Sequence, residues 1–503
     1  MSRFYKVNRP LVKRWRAQGL RSFIYLDDGA VLVQGQNNAM IASALVRADI
    51  IASGFLISES KSKFAPTQNL EWLGFLCDTE TLIMSVSEKK LAKVLSRIEM
   101  MLGLMAAGAA NLATPRQLAG VVGSLIAMER AVGPAAQLMT RFTQIAIEDA
   151  LCADEAFVNA KGSFDHIRDD VSSGGGAKFM ANLLRDAKPR HNVHYNALWD
   201  TPIVVSKDAV QEIEFWANNL RKFNGQEICS QKTYDAVCYS DASSTGFAAF
   251  QTEQEHTPWK GEWSVAERGY SSTWRELAAV ERSIMLSGNL FQDKTVKWYT
   301  DSSNIVKILK VGSGKRDLQK LARSIYERSF SLNMKIMPVW IPRKENTRAD
   351  EMSRCSDFDD WSISAEAFDM LQKRWGVHTF DRFANASNAR CVKFNTKYFC
   401  SESHGTDAFT HSWGGENNWL CPPISLVAKT LKTCREQGVR GTLVVPAWES
   451  AYYWPLLLAS LTQRYVVDYI RFYASYCVGE AMSNEVFNDR PTFDTLALRL
   501  HFM

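Results

Sequence analysis

The chain has 503 residues, enough for about three domains. Apolar residues are 46% and charged residues 22%, which excludes wholesale disorder, and no apolar run approaches the roughly 18 residues that would span a bilayer. The net charge is only +5, from 59 basic and 54 acidic side chains, so the total does not itself point to a polyanionic partner.

The N-terminal stretch MSRFYKVNRPLVKRWRAQ is basic but has no apolar core, so it does not read as a secretory signal. Ten cysteines are scattered from Cys77 to Cys477 with no C-x-x-C pair. That argues against a zinc knuckle or redox motif and for reduced, half-buried thiols in an intracellular protein.

In chain order, residues 1–24 read as a basic helix running into a strand. Residues 22–34 are two β-rich runs around Asp27-Asp28-Gly29, a hairpin signal. Residues 37–55 are apolar at helical spacing, and 70–86 are a short strand pair around Leu73-Gly74-Phe75. Residues 87–150 are helical: one helix opens at Ser87-Glu88, and another has Pro115 in its first turn after Thr114. Residues 151–230 are weakly patterned and contain Ser172-Ser173-Gly174-Gly175-Gly176, the best linker candidate.

Residues 235–252 alternate like a β-hairpin. A helix follows at 272–287, opening on Ser271, then a strand at 294–300 and helices at 302–310 and 316–330. A strand at 334–341 and a short helix at 346–354 complete a mixed sheet with helices packed on it. From 362 onward, segments 379–384, 416–420, 424–436, 441–446 and 464–470 alternate as a further α/β unit. No internal repeat or low-complexity tract is present. The chain therefore reads as α/β and α+β multidomain, with units at 1–150, 231–356 and 357–503 and a connection at 151–230.

Four acids stand out. Asp241 ends a strand in YSDAS, and Asp301 ends another in WYTDSS. Glu276 lies one turn into the helix TWRELAAV, and Asp350 sits on the short helix ENTRADEMSR. Small hydroxyl residues follow both strand-end acids (Ser243-Ser244, Ser302-Ser303), leaving room for a backbone to approach. Like charges gathered this way repel one another and make sense around divalent cations. Two Mg²⁺ (or Mn²⁺) about 4 Å apart would activate water and stabilise the leaving oxygen of a phosphodiester. Residues 231–355 hold 19 basic and 15 acidic side chains, most of the chain's net excess. A basic surface around an acidic pocket suits a polyanion bound through metal.

In the segments YSDASSTGFAAF, WRELAAV, WYTDSSNIVKIL and WIPRKENTRADEMSR, residues 235–355 resemble the ribonuclease H domain of retroelement polyproteins. The resemblance implies hydrolysis of the RNA strand of an RNA–DNA hybrid, leaving 5′-phosphate and 3′-hydroxyl ends. It places the four metal-binding, catalytic roles on Asp241, Glu276, Asp301 and Asp350. Cellular ribonucleases H carry a histidine in the loop before the last acid; here that loop, Pro342 to Ala349, has none. The IP-x-x-x-N-x-x-AD-x-x-SR pattern is nearer to retroelement versions. Lys307, Lys310, Lys315, Arg316, Lys320 and Arg323 follow Asp301, several at helical spacing, and are candidates for contact with the phosphates of the hybrid.

Tyr25-Leu26-Asp27-Asp28 resembles the Y-x-D-D box of reverse transcriptases, in which adjacent acids at a hairpin turn hold metal. NLEWLGF at 69–75 resembles the primer-grip hairpin, and the helices of 87–150 resemble the thumb. Only 24 residues precede Tyr25 and none is acidic, so the fingers and the palm aspartate of an earlier strand are expected to be missing, as in a truncated or wrongly started reading frame.

Within 364–457, FDRFANASNARCVKFNTKYF, NNWLCPPISLVAKTL and GTLVVPAWESAYYWPLL resemble phage-type DNA adenine N6-methyltransferases. Together with the other two resemblances, this is the arrangement of DIRS-type, tyrosine-recombinase retrotransposons. The resemblance implies that Asp381 holds S-adenosylmethionine. In the family's (Asn/Asp)-Pro-Pro-(Tyr/Phe) loop the first residue accepts from the adenine amino group and the aromatic stacks on the flipped base. Here those places are Cys421 and Ile424, a poor acceptor and a side chain with no π-face. Weak or absent methyl transfer is expected, and the aromatics of 448–454 are expected in the core. The sequence thus supports an enzyme, a ribonuclease H acting on RNA–DNA hybrid. The alternatives are a decayed, non-catalytic nucleic-acid-binding fragment or, for the C-terminal unit alone, DNA adenine N6-methyltransferase activity.

Overall fold

The computed structural model describes residues 2–107, 111–152, 198–228, 233–254, 258–354, 361–479 and 493–502. The chain is a mixed α/β multidomain protein with several sheets and flanking helices. It divides into two units, Met1–Lys232 with Val311–Gln319, and Thr233–Lys310 with Lys320–Met503. No described helix is long and apolar enough to cross a membrane.

The first unit begins with helix Ser2–Ala17 and an antiparallel hairpin of Arg21–Tyr25 and Asp28–Leu32. Tyr25 pairs with Asp28, so the loop is Leu26-Asp27 and Leu26 takes a left-handed φ of 56°. The sequence placed the turn on Asp27-Asp28-Gly29. Gly29 is instead a strand residue opposite Ile24, and its φ is not positive. A second hairpin, Asn69–Trp72 and Phe75–Asp78, turns on Leu73-Gly74 with φ of 51° and 76°, the twist a two-residue hairpin requires. Strands Ile83–Ser85 and Gln226–Glu227 extend it to four.

Helices Gln36–Ala52, Glu88–Ala107, Pro115–Ile126, Arg141–Cys152 and Lys207–Phe223 are the longer helices that follow in this unit. Thr114 and Gln117 cap Pro115–Ile126 reciprocally, an arrangement worth about 1 kcal/mol. Helix Lys207–Phe223 lies in the stretch that read as weakly patterned, because its anchor is a buried acid. Glu212, fully buried, accepts from the Phe142 and Thr143 amides and from Thr143 Oγ1, satisfying donors at the start of Arg141–Cys152. The linker candidate Ser172–Gly176 lies outside the described residues.

The second unit contains two larger sheets. The first has five strands in the order Trp259–Glu262, Gly246–Gln251, Ala236–Ala242, Thr295–Thr300, Lys335–Trp340. The first three pair antiparallel and the last three parallel. Pro338 is tolerated because Lys335–Trp340 is an edge strand. Helix Ser272–Leu286 packs Trp274, Leu277, Ala278 and Val280 into the core, which is closed by Trp298, Phe247 and Phe291. The expected order of elements holds here, with two additions, strand Trp259–Glu262 and the one-turn helix Val265–Arg268. Strand Trp259–Glu262 was not legible, since Lys260 and Gly261 break any apolar alternation in a four-residue run.

The second sheet has six strands, ordered Lys393–Phe394, Phe380–Asp381, Asn417–Leu420, Arg440–Pro446, Thr495–His501, Val466–Phe472. The first four are parallel, and Thr495–His501 runs antiparallel between its two neighbours. Helix Val427–Gln437 was expected from sequence; helices Ala365–Trp375 and Trp454–Thr462 and strand Thr495–His501 were not. The two sheets join within this unit. The Glu262 amide donates to Phe399 O at 2.7 Å, and Gly261 bridges Phe399.

Candidate active site

Parallel pairing sets the first two acids side by side. Val296 pairs with Ala236 and Tyr299 with Tyr239, a constant register that, continued, brings Asp301 level with Asp241. Asp241 is on the central strand and only 9% exposed. Glu276, half-buried, comes from helix Ser272–Leu286, whose start is fixed by Ser271 Oγ accepting from the Trp274 amide at 3.2 Å. Asp350, half-buried, comes from helix Thr347–Ser353. Asn346 ties the start of that helix to the central strand, its Nδ2 donating to Ser240 O at 3.0 Å.

The four acids share one neighbourhood. Burial raises the Asp241 carboxyl above its ordinary range, and the charges of Asp301 and Asp350 add to the rise. Burial likewise raises Glu276, with Asp301 and Asp241 adding. Hydroxyls work the other way: Ser353 hydrogen-bonds Asp241 and Ser302 hydrogen-bonds Glu276, each favouring the ionised form. Ser243 does more than leave space. Its Oγ donates to Ser353 O at 2.7 Å and accepts from the Gly246 amide at 3.1 Å, fastening the Asp350 helix to the turn after Asp241.

Among the described residues, no three carboxylate, imidazole or thiol side chains already stand at ligating distance around one point. The donor set nevertheless suits hard divalent cations: the four acids supply only oxygen ligands, and their mutual repulsion would be relieved by positive charge. Part of that charge is protein-borne, since Arg343 and Arg354 both pair with Asp350. Sequence reasoning missed Ser353, Asn346, Arg343 and Arg354. The available signal was the spacing of Ser353 and Arg354, three and four positions after Asp350, one helical turn.

Lys307 and Lys310 are exposed on helix Ser303–Val311, and Lys320 on Arg316–Ser331. Lys315 and Arg316 are exposed but fall in Val311–Gln319, which belongs to the first unit. Arg316 pairs there with Asp149, and Arg323 pairs with Glu327 on its own helix. The basic run is thus divided between the two units, and two of its members already have acidic partners.

In the first unit, Asp27 and Asp28 are exposed at the hairpin tip. In the six-stranded sheet, Asp381 is only 2% exposed. It accepts from the amides of Phe383 at 3.2 Å and Arg390 at 3.0 Å, so it pins the loop that follows its strand. Burial pushes its carboxyl up to about 6. Cys421 is buried in a core with Trp361, Phe368 and Trp419. Tyr453 is fully buried, as expected for the aromatics of 448–454, but Tyr452 is exposed, its hydroxyl donating to Ile424 O at 2.6 Å.

No family model matches the chain, and no curated protein matches its sequence. Solved structures do. The chain is similar to LC11 ribonuclease H1, isolated from compost and solved with an RNA/DNA hybrid, at 20% identity over 24% of this chain and 93% of that one, TM-score 0.21. Ribonuclease H1 of the archaeon Halobacterium salinarum is 16% identical over 23% of this chain and 92% of its own, TM-score 0.20. The foamy viral protease–reverse transcriptase solved with double-stranded DNA is 11% identical, over 67% of this chain and 58% of that one, TM-score 0.29. This chain therefore spans a little over half of that viral protein.

Proposed function

We propose that residues 233–354 hydrolyse the RNA strand of RNA–DNA hybrids, leaving 5′-phosphate and 3′-hydroxyl ends, with Asp241, Glu276, Asp301 and Asp350 as metal-binding catalytic residues. One observation carries this reading: acids at the ends of two adjacent parallel strands and on two helices share a neighbourhood, where the carboxyls of buried Asp241 and half-buried Glu276 are each raised by burial and by others of the set. Mg²⁺ or Mn²⁺, when bound, would supply Lewis acidity and lower the pKa of water. The chain's own part is to hold four carboxylates in place, with the Ser353 and Ser302 hydroxyls opposing the rise that burial imposes on Asp241 and Glu276. Lys307, Lys310 and Lys320 would face the phosphate backbone, which positions a duplex without reading its sequence. The test is cleavage of a labelled hybrid by the full chain in Mg²⁺ and in Mn²⁺. Loss of cleavage by several orders of magnitude in Asp301→Asn supports the reading. An intact hybrid in both metals refutes it.

The remaining units fit a DIRS-type retrotransposon polyprotein, with 1–150 as palm hairpin and thumb of a reverse transcriptase and Asp27 and Asp28 as its metal-binding pair. Residues 357–503 would be methyltransferase-like. Support for that last reading is the six-stranded, mainly parallel sheet with Cys421-Pro422-Pro423 just beyond the end of Asn417–Leu420. The pinned Asp381 and core-bound Cys421 argue that this unit transfers methyl groups weakly or not at all.

A further inference from the structure

Asp350 is the one acid of the four with both oxygens engaged by cations. Arg343 Nη2 donates to its Oδ1 at 2.8 Å and Arg354 Nη2 to its Oδ2 at 2.5 Å. The arginines reach it from different places. Arg343 opens the short turn Arg343–Glu345, and Arg354 lies one helical turn beyond Asp350. Their side chains are 74% and 61% exposed, against 18% for Asp350. The acid is thus fixed while both of its partners reach into solvent. Asp301 and Asp241 also act on Arg343, so this guanidinium feels three of the four carboxylates.

We propose that Arg343 and Arg354 form a guanidinium clamp that withholds Asp350 from a divalent cation until the phosphates of the nucleic acid draw the two arginines away. The proposal rests on the ribonuclease reading above. With both Asp350 oxygens engaged by guanidinium groups, a metal ion can bind this carboxylate only by displacing one of them. With the clamp closed, Asp241, Glu276 and Asp301 remain for a first metal ion, while a second must displace an arginine. Exposed ion pairs of this kind are individually weak, so the exchange is easily driven. A phosphodiester offers the same forked geometry that a carboxylate does, and a polyanion offers many such groups at once. Substrate and second metal would then bind with positive coupling, which limits hydrolysis in the absence of hybrid.

The test counts Mn²⁺ bound to the full chain without nucleic acid, read from the loss of the free-ion electron paramagnetic resonance signal. The parent should bind one Mn²⁺, with a second at least about tenfold weaker. Arg343→Ala with Arg354→Ala should tighten the second about tenfold while raising KM for hybrid by a similar factor. Each single alanine variant should give part of the effect, and the lysine variants, which keep the charge, should restore weak second-ion binding. Unchanged second-ion affinity in the double variant overturns the clamp and marks the two pairs as structural. Failure of the ribonuclease reading looks different: the parent binds no Mn²⁺ at these acids, Asp241→Asn has no effect on the titration, and the clamp falls with it.

Discussion

Ser353 Oγ stands 2.8 Å from Asp241 Oδ2, and Ser353 belongs to the same short helix as Asp350. One fully buried hydroxyl therefore links two of the four acids, binding one by its side chain and sharing a helix with the other. Ser243, two residues after Asp241, holds the Ser353 carbonyl in return.

Replacing Ser353 by alanine should change the pH dependence as well as the rate. Burial raises the Asp241 carboxyl and the Ser353 hydrogen bond lowers it. Removing the hydroxyl lets the carboxyl rise further, so Asp241 stays protonated to a higher pH. The acidic limb of the rate–pH profile for hybrid cleavage should shift to higher pH, with roughly tenfold lower rate near neutrality, the loss of one hydrogen bond to a charged group. A limb that does not move would refute the coupling.

Asp241→Asn should trade activity for stability. The folded-state pKa of Asp241 is raised, so the folded chain holds the proton more tightly than the unfolded chain does. Stability is then full at low pH and declines as pH rises through the folded pKa. Asparagine removes the charge that causes the decline. In metal-free buffer the variant should melt a few degrees above the parent near pH 7 and together with it near about pH 3, while cleavage falls by several orders of magnitude. A lower melting temperature at pH 7 would contradict the account.

Arg282 should be costly to truncate. It pairs with Glu267 at side-chain exposures of 10% and 13%, and its guanidinium lies 4.9 Å from the Trp263 ring and 5.7 Å from that of Phe399. Burial alone would raise the Glu267 carboxyl; Arg282 and the Ser264 amide reverse this and hold it low. Ser401, in the turn that follows Phe399, also donates to Glu267 at 3.1 Å. Arg282→Met should destabilise by about 3–5 kcal/mol in urea, because a buried carboxylate is left unpaired. Adding Glu267→Gln should recover part of that loss.

Gly261 tests the seam between the two sheets. A Cβ there would lie 2.1 and 2.4 Å from the Phe247 ring and 2.8 Å from Phe399 O. Gly261→Ala should cost about 1–3 kcal/mol or more by overpacking. Gly314→Ala, where a Cβ meets nothing within 4 Å, should be near neutral in the same denaturation series.

For the C-terminal unit, calorimetry with S-adenosylmethionine and tritium transfer to adenine-rich DNA separate binding from chemistry. With Asp381 engaged by two amides and Cys421 in the core, transfer should be at least about 10²-fold below that of an enzyme with an intact acceptor and stacking aromatic. Robust transfer by the unaltered chain would refute this.

How much was legible follows from how local each feature is. Helix Ser272–Leu286 carries its own cap, strands Ala236–Ala242 and Thr295–Thr300 carry their own apolar content, and each of the four acids sits beside such a signal. The sequence by itself therefore determined which elements form and which acids end or ride on them. It did not reach strand Trp259–Glu262, too short to show a period, or strand Thr495–His501, whose two partners lie far earlier in the chain. Only the tertiary structure decided that Asp301 comes level with Asp241, because that depends on the register of two strands separated by more than fifty residues. It also decided that Arg343 and Arg354 converge on Asp350 and that Asp381 is closed over by its own loop. Pairing register, burial and charge convergence arise from residues distant in sequence meeting in space, and no local pattern encodes them.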